Sequence, residues 1–165
     1  MKYFIILLLL ITSNVANEVK TETNKVDVDI KADNFIAERA KNIIIFTGNV
    51  VMVKAEDLLK ADKLTVYTKL TETNETVVRK YVAVGNVDFK MKKNESITYA
   101  KGDSITYDVD KQEYLIEGNG YLEDTLDSKI IKGERIYLDN KTQKTKIDGA
   151  KDKPVEFKFK MEETQ

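Results

Sequence analysis

Ile45-Phe46-Thr47-Gly48-Asn49 returns in altered form three times further along the chain, as Ala83-Val84-Gly85-Asn86, Ile116-Glu117-Gly118-Asn119 and Ile147-Asp148-Gly149. A small residue followed by an acid precedes each one: Ala32-Asp33, Ala61-Asp62, Gly102-Asp103 and Gly133-Glu134. The acid stands 15 residues before its glycine in three units (48 − 33, 118 − 103, 149 − 134) and 23 before it in the second (85 − 62). A hairpin-sized unit therefore recurs four times, with each copy needing its neighbours to bury an apolar face. Glycine and asparagine tolerate positive φ, so the Gly-Asn pairs are expected to close strands as tight turns or to bulge them.

Between these markers the side chains alternate. Val26-Asp27-Val28-Asp29-Ile30-Lys31, Leu64-Thr65-Val66-Tyr67, the run from Val82 to Met91, Ser104-Ile105-Thr106-Tyr107 and Arg135-Ile136-Tyr137-Leu138 all read as strands with one apolar face. Polar clusters such as Asp139-Asn140-Lys141-Thr142 separate them, which points to an all-β fold. Only Ile36–Asn42 and Ala55–Lys60 have helix-forming composition, and both are expected to be turns or single helical turns. Pro154 opens Val155-Glu156-Phe157-Lys158-Phe159-Lys160-Met161-Glu162, an alternating run suited to a terminal edge strand.

At 165 residues one domain is expected. Residues 1–16, with Lys2 ahead of the apolar run Phe4–Ile11, have the layout of a signal peptide, and that run is too short for a membrane-spanning helix. Residues 17–25 are polar and read as a flexible leader, so residues 26–162 should form the folded unit. Without cysteine, neither a disulfide framework nor a lipid-modified cysteine is available. The 27 basic and 28 acidic residues are interleaved without a basic patch, which argues against a nucleic-acid partner.

Chemistry finds little foothold. Histidine and cysteine are absent, and none of Ser13, Ser96, Ser104 and Ser128 sits in a Gly-x-Ser-x-Gly elbow. A carboxylate pair acting on envelope glycans stays open as an enzyme reading, although there is no tryptophan to stack a sugar. Asp33, Asp62, Asp103 and Glu134 lack the dense clustering of a calcium loop, so no metal site and no cofactor are expected. Glu72-Thr73-Asn74-Glu75-Thr76 is an Asn-x-Thr sequon with an acid two residues upstream, while Asn94-Glu95-Ser96 and Asn140-Lys141-Thr142 fit the short form; from sequence these read as polar loops.

The inner face is expected to carry Val28, Ile30, Phe46, Leu64, Val66, Val84, Phe89, Met91, Ile105, Tyr107, Ile116, Ile136, Leu138 and Phe157. These form either a sandwich core or, with the sheets splayed, a groove for acyl chains. Val26, Val28 and Ile30 at one end and Val155, Phe157 and Phe159 at the other are the candidate edges for self-association.

Ile30-Lys31-Ala32-Asp33, Phe46-Thr47-Gly48-Asn49-Val50, Lys60-Ala61-Asp62-Lys63-Leu64 and Glu117-Gly118-Asn119-Gly120-Tyr121-Leu122 resemble the OstA-like family, and the likeness runs from about Val26 to Gly149. The resemblance implies a single antiparallel β-jelly roll, two splayed sheets open at both ends, around an apolar groove. It further implies a non-enzymatic periplasmic carrier that shields the lipid A acyl chains of lipopolysaccharide, with Val28 and Ile30 facing the lipid. Copies would stack head to tail between an LptC-like inner-membrane partner and an LptD-like outer-membrane partner. The competing reading is an exported β-repeat scaffold or fibre module without lipid transport.

Overall fold

The computed structural model describes residues 27–160; the expected signal peptide and leader, Val26, Met161 and Glu162 lie outside them. Ten strands follow one another: β1 (Val28–Lys31), β2 (Asn34–Glu38), β3 (Ile43–Lys54), β4 (Asp57–Leu70), β5 (Thr76–Lys93), β6 (Ser96–Asp108), β7 (Glu113–Asp124), β8 (Lys129–Asp139), β9 (Lys144–Asp148) and β10 (Glu156–Lys158). All pairings are antiparallel and belong to one sheet. β1 and β2 pair with opposite ends of β3, and β9 and β10 with opposite ends of β8. The sheet is thus an eight-position meander whose outermost positions are each split into two strands.

Every interior pairing breaks register near its middle, at Thr47/Val50, Lys60/Lys63, Val84/Val87, Lys101/Ser104 and Glu117/Gly120. The breaks line up across the sheet and divide it into two halves. The half built on β1, Val50–Lys54, the start of β4, the end of β5 and β10 lies against the half built on β2, Ile43–Thr47, the end of β4, the start of β5 and β9. The jelly roll is therefore one sheet bent along a line, with each long strand serving both halves.

The repeat explains the bend. Gly48 and Asn49 have φ of 79° and 46°, two successive left-handed residues in the middle of β3. Asp33, in the gap between β1 and β2, donates its N–H to the Gly48 carbonyl at 2.9 Å and accepts from Asn49 Nδ2 at 2.9 Å. A Cβ on Gly48 would overlap the Asp33 carboxylate, so only glycine fits. Asp62 against Gly85-Asn86 repeats the arrangement, and Asp103 crowds left-handed Gly118 in the same way, while the Asn119 side chain accepts from Lys153 Nζ at 2.8 Å. The Gly-Asn pairs accordingly bulge strands at mid-length and do not close hairpins. The hairpin turns fall elsewhere, for example at Ala55-Glu56 and Asn94-Glu95.

Other boundaries also differ from expectation. The Ile36–Asn42 segment is strand up to Glu38, followed by a single 3-10 turn, Arg39–Lys41, that ends on left-handed Asn42. In Ala55–Lys60 only the first two residues turn, because Leu59 is buried on the inner face and Asp57 already pairs with Lys54. The first strand begins at Val28. The last ladder spans only Glu156–Lys158, since its partner β8 begins at Lys129 and Lys158 is already opposite Ile130.

Candidate functional site

Register carries the inner surface from one edge of the sheet to the other. In one half, Ile30, Met52, Leu59, Phe89, Ala100, Leu122, Ile131 and Phe157 stand opposite one another in succession across eight strand positions. In the other half, Phe35, Phe46, Leu64, Ala83, Ile105, Ile116, Ile136 and Ile147 do the same. No polar residue interrupts either row. With strands 4.7–4.9 Å apart, each row is about 33 Å long. Leu64, Ile116 and Ile136 are almost wholly buried, and no polar or charged residue is buried among the described residues.

A third row lies further from the bend: Ile44, Val66, Tyr81, Tyr107, Tyr114 and Leu138. Tyr107 and Tyr114 stack at 4.2 Å between ring centroids, and Tyr114 spans the gap to the other half, 6.4 Å from the ring of Phe89. Its hydroxyl lies 3.9 Å from Met91 Sδ. Burial raises the Tyr114 phenol well above its ordinary value, helped by Tyr107 and Asp57 nearby. Tyr81 and Tyr107 are shifted the same way, again chiefly by burial.

Between the halves a cavity of about 70 Å³ is lined by apolar Met52, Leu59, Ala83, Phe89 and Ile105 together with Lys54, Asp57 and the three tyrosines. A second, of about 40 Å³, lies beside Met91, Ala100, Leu122 and Leu138. Both fall well below the roughly 300 Å³ at which ligand sites begin. In this conformation the interior is filled by its own side chains.

At the two open edges it is not filled. Phe35 (61% exposed) and Ile36 (55%) on β2, and Phe157 (52%) on β10 with Phe159 (49%) just past it, project from the ends of the sheet. Phe35 rests on Phe46 and Phe159 on Phe157, each pair with centroids 5.3 Å apart.

Of the residues expected on the inner face, Ile30, Phe89 and Phe157 lie in the first row and Phe46, Leu64, Ile105, Ile116 and Ile136 in the second. Val66, Tyr107 and Leu138 belong to the tyrosine row. Met91 and Val28 sit toward the opposite rim, Val28 facing Lys54. Val84 is a correction: it is 44% exposed on the outer surface, and its neighbour Ala83, 2% exposed, takes the inner position. Met52, Leu59, Ala100, Leu122, Ile131, Phe35, Ile147, Tyr81 and Tyr114 were missed. For Ala83 the signal was present: counting back by twos from Phe89 gives Val87, Gly85 and Ala83.

Residues 29–144 match the family described as LptA/(LptD N-terminal domain) LPS transport protein. The lipopolysaccharide export system protein LptA of Escherichia coli K12 is 28% identical over 128 residues, covering 78% of this chain and 68% of that relative. The protein of the same description from Haemophilus influenzae is 24% identical over 141 residues, covering 86% and 80%. Among solved structures, LptH of Pseudomonas aeruginosa, described as the LptA-homologous periplasmic component of the lipopolysaccharide transport device, superposes with a TM-score of 0.68 at 15% identity. The overlap covers 82% of this chain and 96% of LptH, so the fold is shared almost end to end. With the match spanning most of its length, the chain belongs to the LptA/LptD N-terminal family of lipopolysaccharide transport proteins.

Proposed function

We propose that this protein is a periplasmic carrier that takes the acyl chains of lipopolysaccharide between its two half-sheets and passes them along head-to-tail assemblies from the inner to the outer membrane. The observation that carries the reading is the pair of uninterrupted apolar rows running from edge to edge. Each methylene kept from water is worth about 0.8 kcal/mol, so a multi-acyl lipid needs a continuous apolar path across an aqueous gap. Rows perpendicular to the strands supply that path, and a neighbouring copy extends it. Because the interior is filled, loading requires the halves to separate where Tyr114 of one rim meets Met91 of the other.

Strand direction supports the stacking. β9 and β10 run from the second half toward the first, and β1 and β2 run the other way. A β9–β10 edge laid against the β1–β2 edge of the next copy would be antiparallel, with like halves aligned, continuing the meander. Such a contact does not close on itself and grows into filaments. The terminal edges of a stack would be the surfaces offered to an LptC-like inner-membrane partner and an LptD-like outer-membrane partner.

The small cavities favour the second reading, a scaffold without cargo. Photocrosslinking in cells separates the two: Ile30 faces inward beside Met52, and Lys31 faces outward beside Val51. Lipopolysaccharide captured by a photoreactive residue at 30 and not at 31 is the expected result. A folded, exported protein that captures lipid at neither position would leave the scaffold.

A further inference from the structure

We propose that Asn74 is an N-glycosylation site, taking an oligosaccharide from a polyprenyl-diphosphate donor once the chain has been exported. The stretch Glu72-Thr73-Asn74-Glu75-Thr76 holds the acceptor amide, a hydroxyl two residues after it and an acid two residues before it. Glu72 to Glu75 lie in the loop between β4 and β5, part of the insertion that lengthens the second repeat, Thr76 opens β5, and every residue from Glu72 to Thr76 is exposed. The loop is tied at its base by Thr71, whose N–H donates to the Glu75 carbonyl at 2.9 Å and whose hydroxyl accepts from the Glu75 N–H at 3.1 Å. Asn74 sits at the tip in a left-handed conformation, φ 60°, outside the strand ladder. Its side chain is therefore offered on a short stalk, the presentation a transferase needs to draw a peptide into its cleft.

Asn94, also left-handed at φ 55°, and Asn140 are exposed in turns as well, but neither has an acid two residues upstream. Asn94 sits in a tight two-residue turn, and the hydroxyl of Ser96 already donates to Asp124 at 2.9 Å. Asn140, though exposed, borders the second cavity beside Leu138, and its loop is pinned by Asp139, which accepts from the N–H groups of Lys141 and Thr142 at 2.8 and 3.0 Å. The upstream acid and the engaged side chains around the other two single out one candidate of three. Its location is also permissive: β4 and β5 are interior strands, so a glycan at their connecting tip leaves both sheet edges and the apolar rows clear.

In the transfer, Asn74 Nδ2 attacks C1 of the reducing-end sugar. The bond from C1 to the diphosphate oxygen breaks, the polyprenyl diphosphate leaves with the electron pair, and the Nδ2 proton passes to a carboxylate of the transferase. Glu72 supplies a negative charge for a cationic side chain of that enzyme. The proposal rests on export but not on lipid carriage. The test is the intact mass of the protein purified from envelope extracts of its own organism, wild type beside Asn74→Gln, Asn94→Gln and Asn140→Gln. A mass one oligosaccharide above the signal-processed chain, lost only in Asn74→Gln, is expected. A processed chain at its unmodified mass, or an increment that survives Asn74→Gln, overturns it. Loss of the signal segment, read in the same spectrum, reports export separately.

Discussion

Asp33, between β1 and β2, and Gly48, within β3, fit one another side by side. The carboxylate occupies the space a side chain at Gly48 would need, and the backbone there holds a φ of 79°. Gly48→Ala adds a clash to a left-handed strain, and we expect it to destabilise the protein by about 1–3 kcal/mol, read as a lower denaturant midpoint at unchanged slope. Ile136, 0% exposed and next to last in the second row, should cost about 2–5 kcal/mol when replaced by alanine, by the same measurement. Tyr114 supplies a pH signature. Burial disfavours its phenolate, so its pKa is higher folded than unfolded, and the stability this confers is complete below about pH 10 and lost as pH rises beyond it. In Tyr114→Phe the decline in unfolding free energy between about pH 10 and 12 should be shallower; an unchanged slope would mean that the phenol titrates freely in the folded state. The sequence already contained the acid–glycine spacing. It did not contain the fact that the two touch, because adjacency across a ladder depends on register, which no single strand encodes.

Among the elements, strands that carry Gly-Asn keep their inward parity through the bulge, and strands that carry the small–acid pair reverse it. β3 turns inward Ile44, Phe46, Val50 and Met52, all even, whereas β4 turns inward Leu59 and Ala61 and then Leu64 and Val66. This is why the alternating strands were legible from sequence while half the inner face was not: each parity reversal hides behind a residue inserted at the bend. β9 escaped notice because Lys144-Thr145-Lys146 reads as the tail of a polar turn, and only Ile147 marks its place in the second row. β2 shows the opposite tension. Its Phe35 and Ile36 leave apolar side chains on both faces of an unpaired edge, which invites another strand. Ile36→Lys should leave the fold intact, since the side chain is already exposed, and reduce self-association in sedimentation velocity. Assemblies that persist unchanged would place the contact elsewhere.

At the scale of the whole molecule, the eight strand positions set a length. Copies joined edge to edge should add about 38 Å each, eight spacings of roughly 4.7–4.8 Å, to the long dimension seen by small-angle scattering. Increments of another size would exclude a continued ladder. The same geometry has a mechanical side. Hydrogen bonds in an antiparallel ladder lie perpendicular to the strands, hence along the axis of such a rod. A pull between its two ends would put every ladder under the same tension along its hydrogen bonds, instead of shearing strands lengthwise past one another. A bridge made this way is weak in tension and parts at a single seam, so a cell whose two membranes are drawn apart would lose a joint between copies before it lost the fold of any one of them.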